Sequence, residues 1–310
     1  MKLKLWGVRG SKPKPGPKTV EYGGNTSCYQ ITTTDGQQLI FDAGTGLCEL
    51  GEHYMENGFG AGKGEAKIFL SHVHWDHIQG FPFFEPAFRK GNKFEFFGER
   101  KEVDETGQRD YKKSLEEIVR QQQDYPNFPA PLDVMQATFK FNDVEEGTVY
   151  LNNPVAVLAS RLNHPNGVLA YKVINEGKIF VYTGDNEHDG EVAGKRFGPT
   201  DQKLIQYTRN ADVLLIDAQY TPEEYNPARH GLKTFPKIGW GHSTYEKAVE
   251  IGVEAEVKTV ILTHHEPKHT DAMLDKIYEQ AQEHMQKYAA KRGKKTPKLL
   301  MAKEGMELEA

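Results

Sequence analysis

The residues most able to do chemistry stand together in Leu70-Ser71-His72-Val73-His74-Trp75-Asp76-His77. On an extended segment His72 and His74, two apart, project to the same side. Asp76 and His77 follow where the chain must turn. Four potential metal ligands in six residues are too dense for isolated core histidines. Imidazoles and a carboxylate without a thiolate suit Zn²⁺, Mn²⁺ or Fe, in a site that keeps coordination positions open for catalysis. Cys28 and Cys48 are the two cysteines, so neither a disulfide framework nor a cysteine-built zinc site is expected.

Such a cluster needs rigid elements around it. "KIFLSHVH" reads as a buried strand that delivers the cluster at its end. "TSCYQITTTDGQQLIFDAG" reads as a hairpin turning at Asp35-Gly36. Further strands are expected at "VAVLAS", "GVLAYKVI", "KIFVYTGD", "DVLLIDAQ" and "TVILTHH", and helices over 111–124, 200–209, 243–256 and 270–290. Hairpins first, then strands alternating with helices, indicate an α/β protein with two layers of sheet and helices outside. No Ser/Gly linker and no repeat divides the 310 residues, so one domain over 1–310 is expected. The formal charge of −5 offers no general basic field for long nucleic acid. Mean hydropathy is −0.66, and no apolar run approaches the roughly 20 residues of a spanning helix. MKLKLWGVRG lacks the apolar stretch of a secretory signal. A cytoplasmic protein away from membranes is expected.

His72-Val73-His74-Trp75-Asp76-His77 resembles the HxHxDH signature of the metallo-β-lactamase-fold hydrolases. The resemblance continues in order along the chain, through His164 in "LNHPNG", Asp185 in "VYTGDNE" and His264 in "VILTHHEP". It implies the family's αββα sandwich, two mixed sheets flanked by helices, with an insert at about 85–135 near the active site. It also implies two divalent metal ions, Zn first and Mn or Fe as alternatives. One would take His72, His74, His164 and Asp185; the other Asp76, His77, Asp185 and His264. Asp185 and a water or hydroxide would bridge them. Two dications acidify a shared water and stabilise attacking and leaving oxygens. Neighbouring strand residues face opposite ways, so one of His264 and His265 should reach the metals, and the family pattern favours His264. Asp76 is expected to serve catalysis as well as binding.

"GWGHSTYEKAVEIGVEA" resembles the HST motif of ribonuclease Z and related phosphodiesterases, in which the histidine is a general acid. His242 is the matching residue, and Ser243 or Thr244 could equally cap the following helix. "LLIDAQYT" stands where ribonuclease Z has a His-Glu-Ala-Thr segment; Asp217 could orient His242 or cap a turn. Only 20 residues separate His164 from Asp185, which leaves no room for the long tRNA-gripping arm of some ribonucleases Z. The N-terminal "WGVRGSKPKPGPKTVEYGGNTSCYQI" is similar to a branch linked to 3′,5′-cyclic nucleotide phosphodiesterases.

The expected function is therefore a dinuclear metal-dependent phosphodiesterase hydrolysing a small phosphodiester, foremost a 3′,5′-cyclic nucleotide, as a homodimer. Alternatives are a ribonuclease Z-like enzyme acting on RNA, an ester, thioester or lactone hydrolase, and a metal-binding sensor without turnover. Other features have two readings each. Asp42 either supports the metals or forms a turn. Gly23-Gly24-Asn25-Thr26 contacts a phosphate or simply turns. Phe81, Phe83, Phe84, Phe88, Tyr125 and Phe128 stack a base or pack internally. The basic stretch from Lys287 to Lys303 attracts phosphates or is a solvated face.

Overall fold

The computed structural model describes residues 1–102, 112–125, 128–192 and 195–309. In chain order the strands are β1 (Lys2–Gly7), β2 (Cys28–Thr32), β3 (Gln38–Phe41), β4 (Glu65–Phe69), β5 (Lys93–Gly98), a short ribbon of β6 (Lys101–Glu102) and β7 (Lys112–Lys113), β8 (Thr138–Asp143), β9 (Gly147–Asn152), β10 (Val155–Leu162), β11 (Val168–Asn175), β12 (Lys178–Tyr182), β13 (Val213–Asp217), β14 (Thr259–Thr263), β15 (Lys298–Met301) and β16 (Glu307–Glu309). The helices are α1 (Gly46–Met55), α2 (Trp75–Ile78), α3 (Leu115–Gln122), α4 (Asp189–Val192), α5 (Pro199–Thr208), α6 (Pro222–Tyr225), α7 (Tyr245–Glu254) and α8 (Asp271–Arg292).

The strands build two seven-stranded sheets, ordered β16-β1-β2-β3-β4-β5-β8 and β15-β14-β13-β12-β11-β10-β9. β3, β4, β5 and β8 run parallel in the first sheet, and β12 to β15 in the second. Apolar side chains from both sheets, among them Leu5, Phe41, Phe69, Tyr171, Phe180 and Leu215, meet in one buried layer. Helices cover the outer faces. Leu47 and Leu50 of α1 and Leu115 and Val119 of α3 pack on the first sheet, and Leu204, Val249 and Leu274 of α5, α7 and α8 on the second. This is the αββα sandwich. β13 shows why its sequence is an unbroken apolar run: Val213 and Leu215 face the inter-sheet layer while Leu214 and Ile216 face the helices.

The hairpin expected at Asp35-Gly36 joins β2 and β3 in antiparallel register. The connection after His164 is compact, as the sequence indicates: β11 and β12 pair directly as a hairpin from Tyr171↔Tyr182 to Asn175↔Lys178. The expected insert over 85–135 takes in β5, which is an integral strand between β4 and β8, because its alternating Phe94 and Phe96 bury under α1 and α3. Its residues 103–111 and 126–127 lie outside the described residues, and so does Tyr111 of the helix expected over 111–124. Among the described residues, no helix is long and apolar enough to cross a membrane.

Candidate metal centre and active site

One edge of the sandwich collects the ends of strands from both sheets. Asp42 follows β3, and the His72–His77 segment follows β4. His164 follows β10, Asp185 follows β12, Asp217 ends β13, and His264 follows β14. β4 itself stops at Phe69, so His72 and His74 stand on irregular extended chain beyond the strand. Their rings still lie together, with centroids 4.5 Å apart. α2 then presents Asp76 and His77, while His74, at its N-cap position, is exposed at the rim.

Asp42 sets this segment. Its carboxylate accepts from the Ser71 amide at 2.6 Å and hydroxyl at 2.8 Å, from the Tyr182 hydroxyl at 2.6 Å, and pairs with His77 Nδ1 at 2.7 Å. With Nδ1 so engaged, His77 points Nε2 into the cluster. Asp42 thus supports the centre. It has φ +61°, as does His264. Left-handed backbone at a residue with a side chain costs of order 1–3 kcal/mol and is retained where packing over-determines it.

Asp185 sits at the middle. Its Oδ2 lies 3.2 Å from His77 Nε2 and 3.5 Å from His72 Nε2, and its Oδ1 lies 3.1 Å from His264 Nε2. Asp76 Oδ2 is 3.1 Å from His264 Nε2 and 3.3 Å from His77 Nε2, and accepts from the Ser11 amide at 2.7 Å. On the other flank His164 Nε2 and His74 Nδ1 are 3.1 Å apart. Two groupings result, each with ligand atoms within 4.8 Å of one another: His72, His74 and His164, and Asp76, His77, Asp185 and His264. All seven expected ligands are brought together. His264 and His265 diverge because the left-handed turn at His264 redirects the chain: His265 Nε2 goes instead to the Ala302 carbonyl at 2.8 Å.

His72 Nε2, His77 Nε2 and Asp185 Oδ1 are buried without a hydrogen-bond partner. Orphaned buried polar atoms are costly, and three converging ones, two imidazole nitrogens and a carboxylate oxygen, form a donor set that fits divalent cations. The protonation balance agrees at His72 and His164, whereas at His77 burial is outweighed by Asp185, Asp76 and Asp42, which raise its imidazolium well above the ordinary value. Burial pushes the His72 imidazolium well below its ordinary value and that of His164 down to about 4, favouring the neutral, ligating form. Burial would raise the Asp185 carboxyl, but the surrounding His264, His77 and His72 hold it well below the carboxylate range.

His242 stands beside this centre. Its Nδ1 is 3.0 Å from Asp217 Oδ2 and 3.8 Å from Asp185 Oδ2. The fully buried Asp217 also accepts from the Asn186 and Gln219 amides at 3.1 and 3.0 Å, so it is a fixed partner. Burial alone would lower the His242 imidazolium, but Asp217 and Asp185 outweigh it and push it up to about 9. His242, Asp217, Asp185 and His264 also form a third grouping within ligand reach. The Nδ1 that faces this grouping is already engaged by Asp217. The helix-cap reading of the HST segment holds alongside: Thr244 Oγ1 accepts from the Lys247 amide at 3.3 Å and starts α7.

Two supporting residues carry no sequence motif. Gln219 Oε1 lies 3.0 Å from His264 Nδ1. The buried Glu187, two residues after Asp185, accepts from the Gly239 amide at 2.7 Å, the Gly241 amide at 3.0 Å and the Tyr225 hydroxyl at 2.6 Å. Gly241 returns its carbonyl to His164 Nδ1 at 2.8 Å. A Cβ at position 241 would collide with the His164 ring, which requires glycine there. Their only sequence signal is nearness to Asp185 and to the Asp217 segment.

The remaining expectations separate. Phe81 and Phe84 are core residues, whereas Phe83 and Tyr125 are exposed; Phe88 packs at the edge of the core, and Phe128 meets the Phe83 ring edge-on at 5.4 Å. The Gly23–Thr26 segment is used internally: Gly23 O accepts from the buried Arg9 at 2.7 Å, and the Asn25 amide donates to Glu304. Within the basic stretch, Lys287, Arg292, Lys294 and Lys303 pair with Glu283, Glu254, Glu256 and Glu21.

A family profile described as the beta-lactamase superfamily domain matches residues 37–265. Ribonuclease Z of Bacillus cereus is 24% identical over 292 residues, covering 82% of this chain and 86% of that protein. Among solved structures, the metallo-beta-lactamase fold protein YhfI from Bacillus subtilis has a TM-score of 0.65 at 17% identity, covering 100% of this chain and 98% of its own. Yeast PDE1 has a TM-score of 0.63 at 16% identity, covering 100% and 99%. With the profile spanning both the His72–His77 segment and His264, the chain belongs to the beta-lactamase superfamily and is a hydrolase of the metallo-β-lactamase fold, a fold that implies divalent metal ions.

Proposed function

We propose that the protein is a metal-dependent phosphodiesterase acting on a small phosphodiester, foremost a 3′,5′-cyclic nucleotide. His72, His74, His164 and Asp185 would hold one divalent cation, and Asp76, His77, Asp185 and His264 the second, with zinc the first choice for an imidazole and carboxylate set. Such ions, when bound, supply Lewis acidity and acidify water. Hydrolysis replaces one P–O bond by a bond to a water oxygen, and the departing alkoxide must gain a proton. The observation that carries the reading is the His242–Asp217 pair at 3.0 Å beside Asp185. Asp217 on Nδ1 stabilises the imidazolium and leaves Nε2 as the nitrogen that hands over a proton. The relatives named ribonuclease Z act on RNA, a phosphodiester too, but the direct β11–β12 hairpin and the charge of −5 favour a small substrate.

The test is a hydrolysis screen of protein loaded with defined metals, against cyclic purine and pyrimidine nucleotides, precursor tRNA and a lactone. Cyclic nucleotides are expected to turn over far faster than the rest. Efficient 3′ cleavage of precursor tRNA with no cyclic nucleotide hydrolysis would replace this reading with the ribonuclease.

A further inference from the structure

Between α6 and His242 the chain runs Gly231-Leu232-Lys233-Thr234-Phe235-Pro236-Lys237-Ile238-Gly239-Trp240. Leu232, Phe235, Ile238 and Trp240 are all exposed, Phe235 at 71% and Trp240 at 47%. Four exposed apolar side chains on one loop, two of them in ring contact, form a candidate binding surface. The position of Trp240 is fixed from within. The glycines on either side have φ of +82° and +87°. Their amides both donate to the buried Glu187 carboxylate, and the Trp240 amide donates to Lys237 O at 3.1 Å. The backbone is thus clamped on its inner side while the indole is turned outward. Ordering this residue for a ligand costs little further entropy, which is what makes a held aromatic an effective contact.

Its surroundings state what kind of ligand fits. Trp240 is two residues from His242, at most about 7 Å of backbone, and its neighbour Gly241 touches His164. The Lys237 ammonium stands 3.7 Å from the indole centroid, and the Phe235 ring is 6.1 Å away. A planar apolar surface with a positive charge over it, on the loop that leads directly into a site that would hold a phosphate, matches a planar group joined to an anion. We propose that Trp240, clamped through Glu187, is the stacking platform for the base of a nucleotide whose phosphate lies at the His/Asp centre. This rests on the phosphodiesterase reading for the position of the phosphate, but it concerns recognition and is tested by binding.

Titration calorimetry of the metal-loaded protein would compare a nucleoside 5′-monophosphate with ribose 5-phosphate, which differs by the absent base. Stacking on an aromatic side chain is worth about 5- to 150-fold per base. The wild type is expected to prefer the nucleotide by at least tenfold. Trp240→Ala should remove that preference with ribose 5-phosphate affinity unchanged, and Trp240→Phe should keep most of it. A wild-type preference near one would overturn the platform, and so would an equal weakening of both ligands in Trp240→Ala. A third overturning result is a change of oligomeric state in Trp240→Ala with the preference intact, since Trp240 would then serve contact between copies. If the preference behaves as expected while no cyclic nucleotide is hydrolysed, the platform stands and the proposed reaction falls.

Discussion

In the proposed reaction, proton delivery to the leaving oxygen would come down to one imidazole. His242 lies outside the seven-ligand set and is held through Nδ1 by the fully buried Asp217 carboxylate. His242→Ala should therefore keep its metals while losing about 10²–10⁴-fold in kcat on a cyclic nucleotide. On a p-nitrophenyl diester, whose leaving group needs little protonation, the loss should be much smaller; equal losses on both would remove the proton-donor role. The adjacent histidines give a matching contrast. His264→Ala should lower metal content in elemental analysis, because Nε2 faces both Asp76 and Asp185. His265→Ala should leave the metal content intact, because its ring is committed to the Ala302 carbonyl, and a fall in metal content there would reverse the assignment.

Helix pairing outside the site has its own pH dependence. On α8, His284 lies 3.4 Å from Glu246 and 3.2 Å from Glu250 of α7, with Lys247 and Arg196 also on Glu250 and Tyr288 stacked beside the ring. Burial lowers the His284 imidazolium, but the two glutamates outweigh it and push it up to about 9. The folded-state value lies above the unfolded one, near 6.5, so this pair stabilises the fold fully below pH ~6.5 and progressively less as pH rises to 9. The Tm of wild type should fall across that window more than that of His284→Gln. Parallel Tm curves would show that the α7–α8 contact does not depend on this charge.

Across the whole molecule, the centre joins the two sheets. His72, His74, Asp76 and His77 hang from the first sheet, and His164, Asp185 and His264 from the second. Cations held between them bind only the folded arrangement and add stability by mass action, about 4 kcal/mol per site at a thousandfold excess over Kd. Chelator treatment should therefore lower Tm by several degrees, and zinc or manganese should restore it. A Tm unmoved by chelation and readdition would show that the sheets do not depend on bound metal.

The αββα sandwich and the ligands His164, Asp185 and His264 follow from the resemblance to the metallo-β-lactamase-fold hydrolases, while the two-layer α/β class and the His72–His77 cluster are legible from local residue type and order. Their signals are short-range: the run His72–His77, strand ends followed by a polar residue, and alternating or unbroken apolar runs. The sequence also indicated the short β11–β12 connection, since hairpin pairing over 20 residues needs no distant partner. What tertiary structure decided was direction and company. Whether His264 or His265 faces the metals depends on a φ of +61° at a strand end, which strand alternation does not encode. Phe81 and Phe84 could not be told from Phe83 until helices buried them. Glu187 had no motif because its partners, Gly239 and Gly241, lie more than fifty residues away. Only the convergence of strand ends at one edge makes that carboxylate a support for His164 and for the loop that carries Trp240 and His242, because hydrogen bonds between distant segments have no periodicity for a sequence to display.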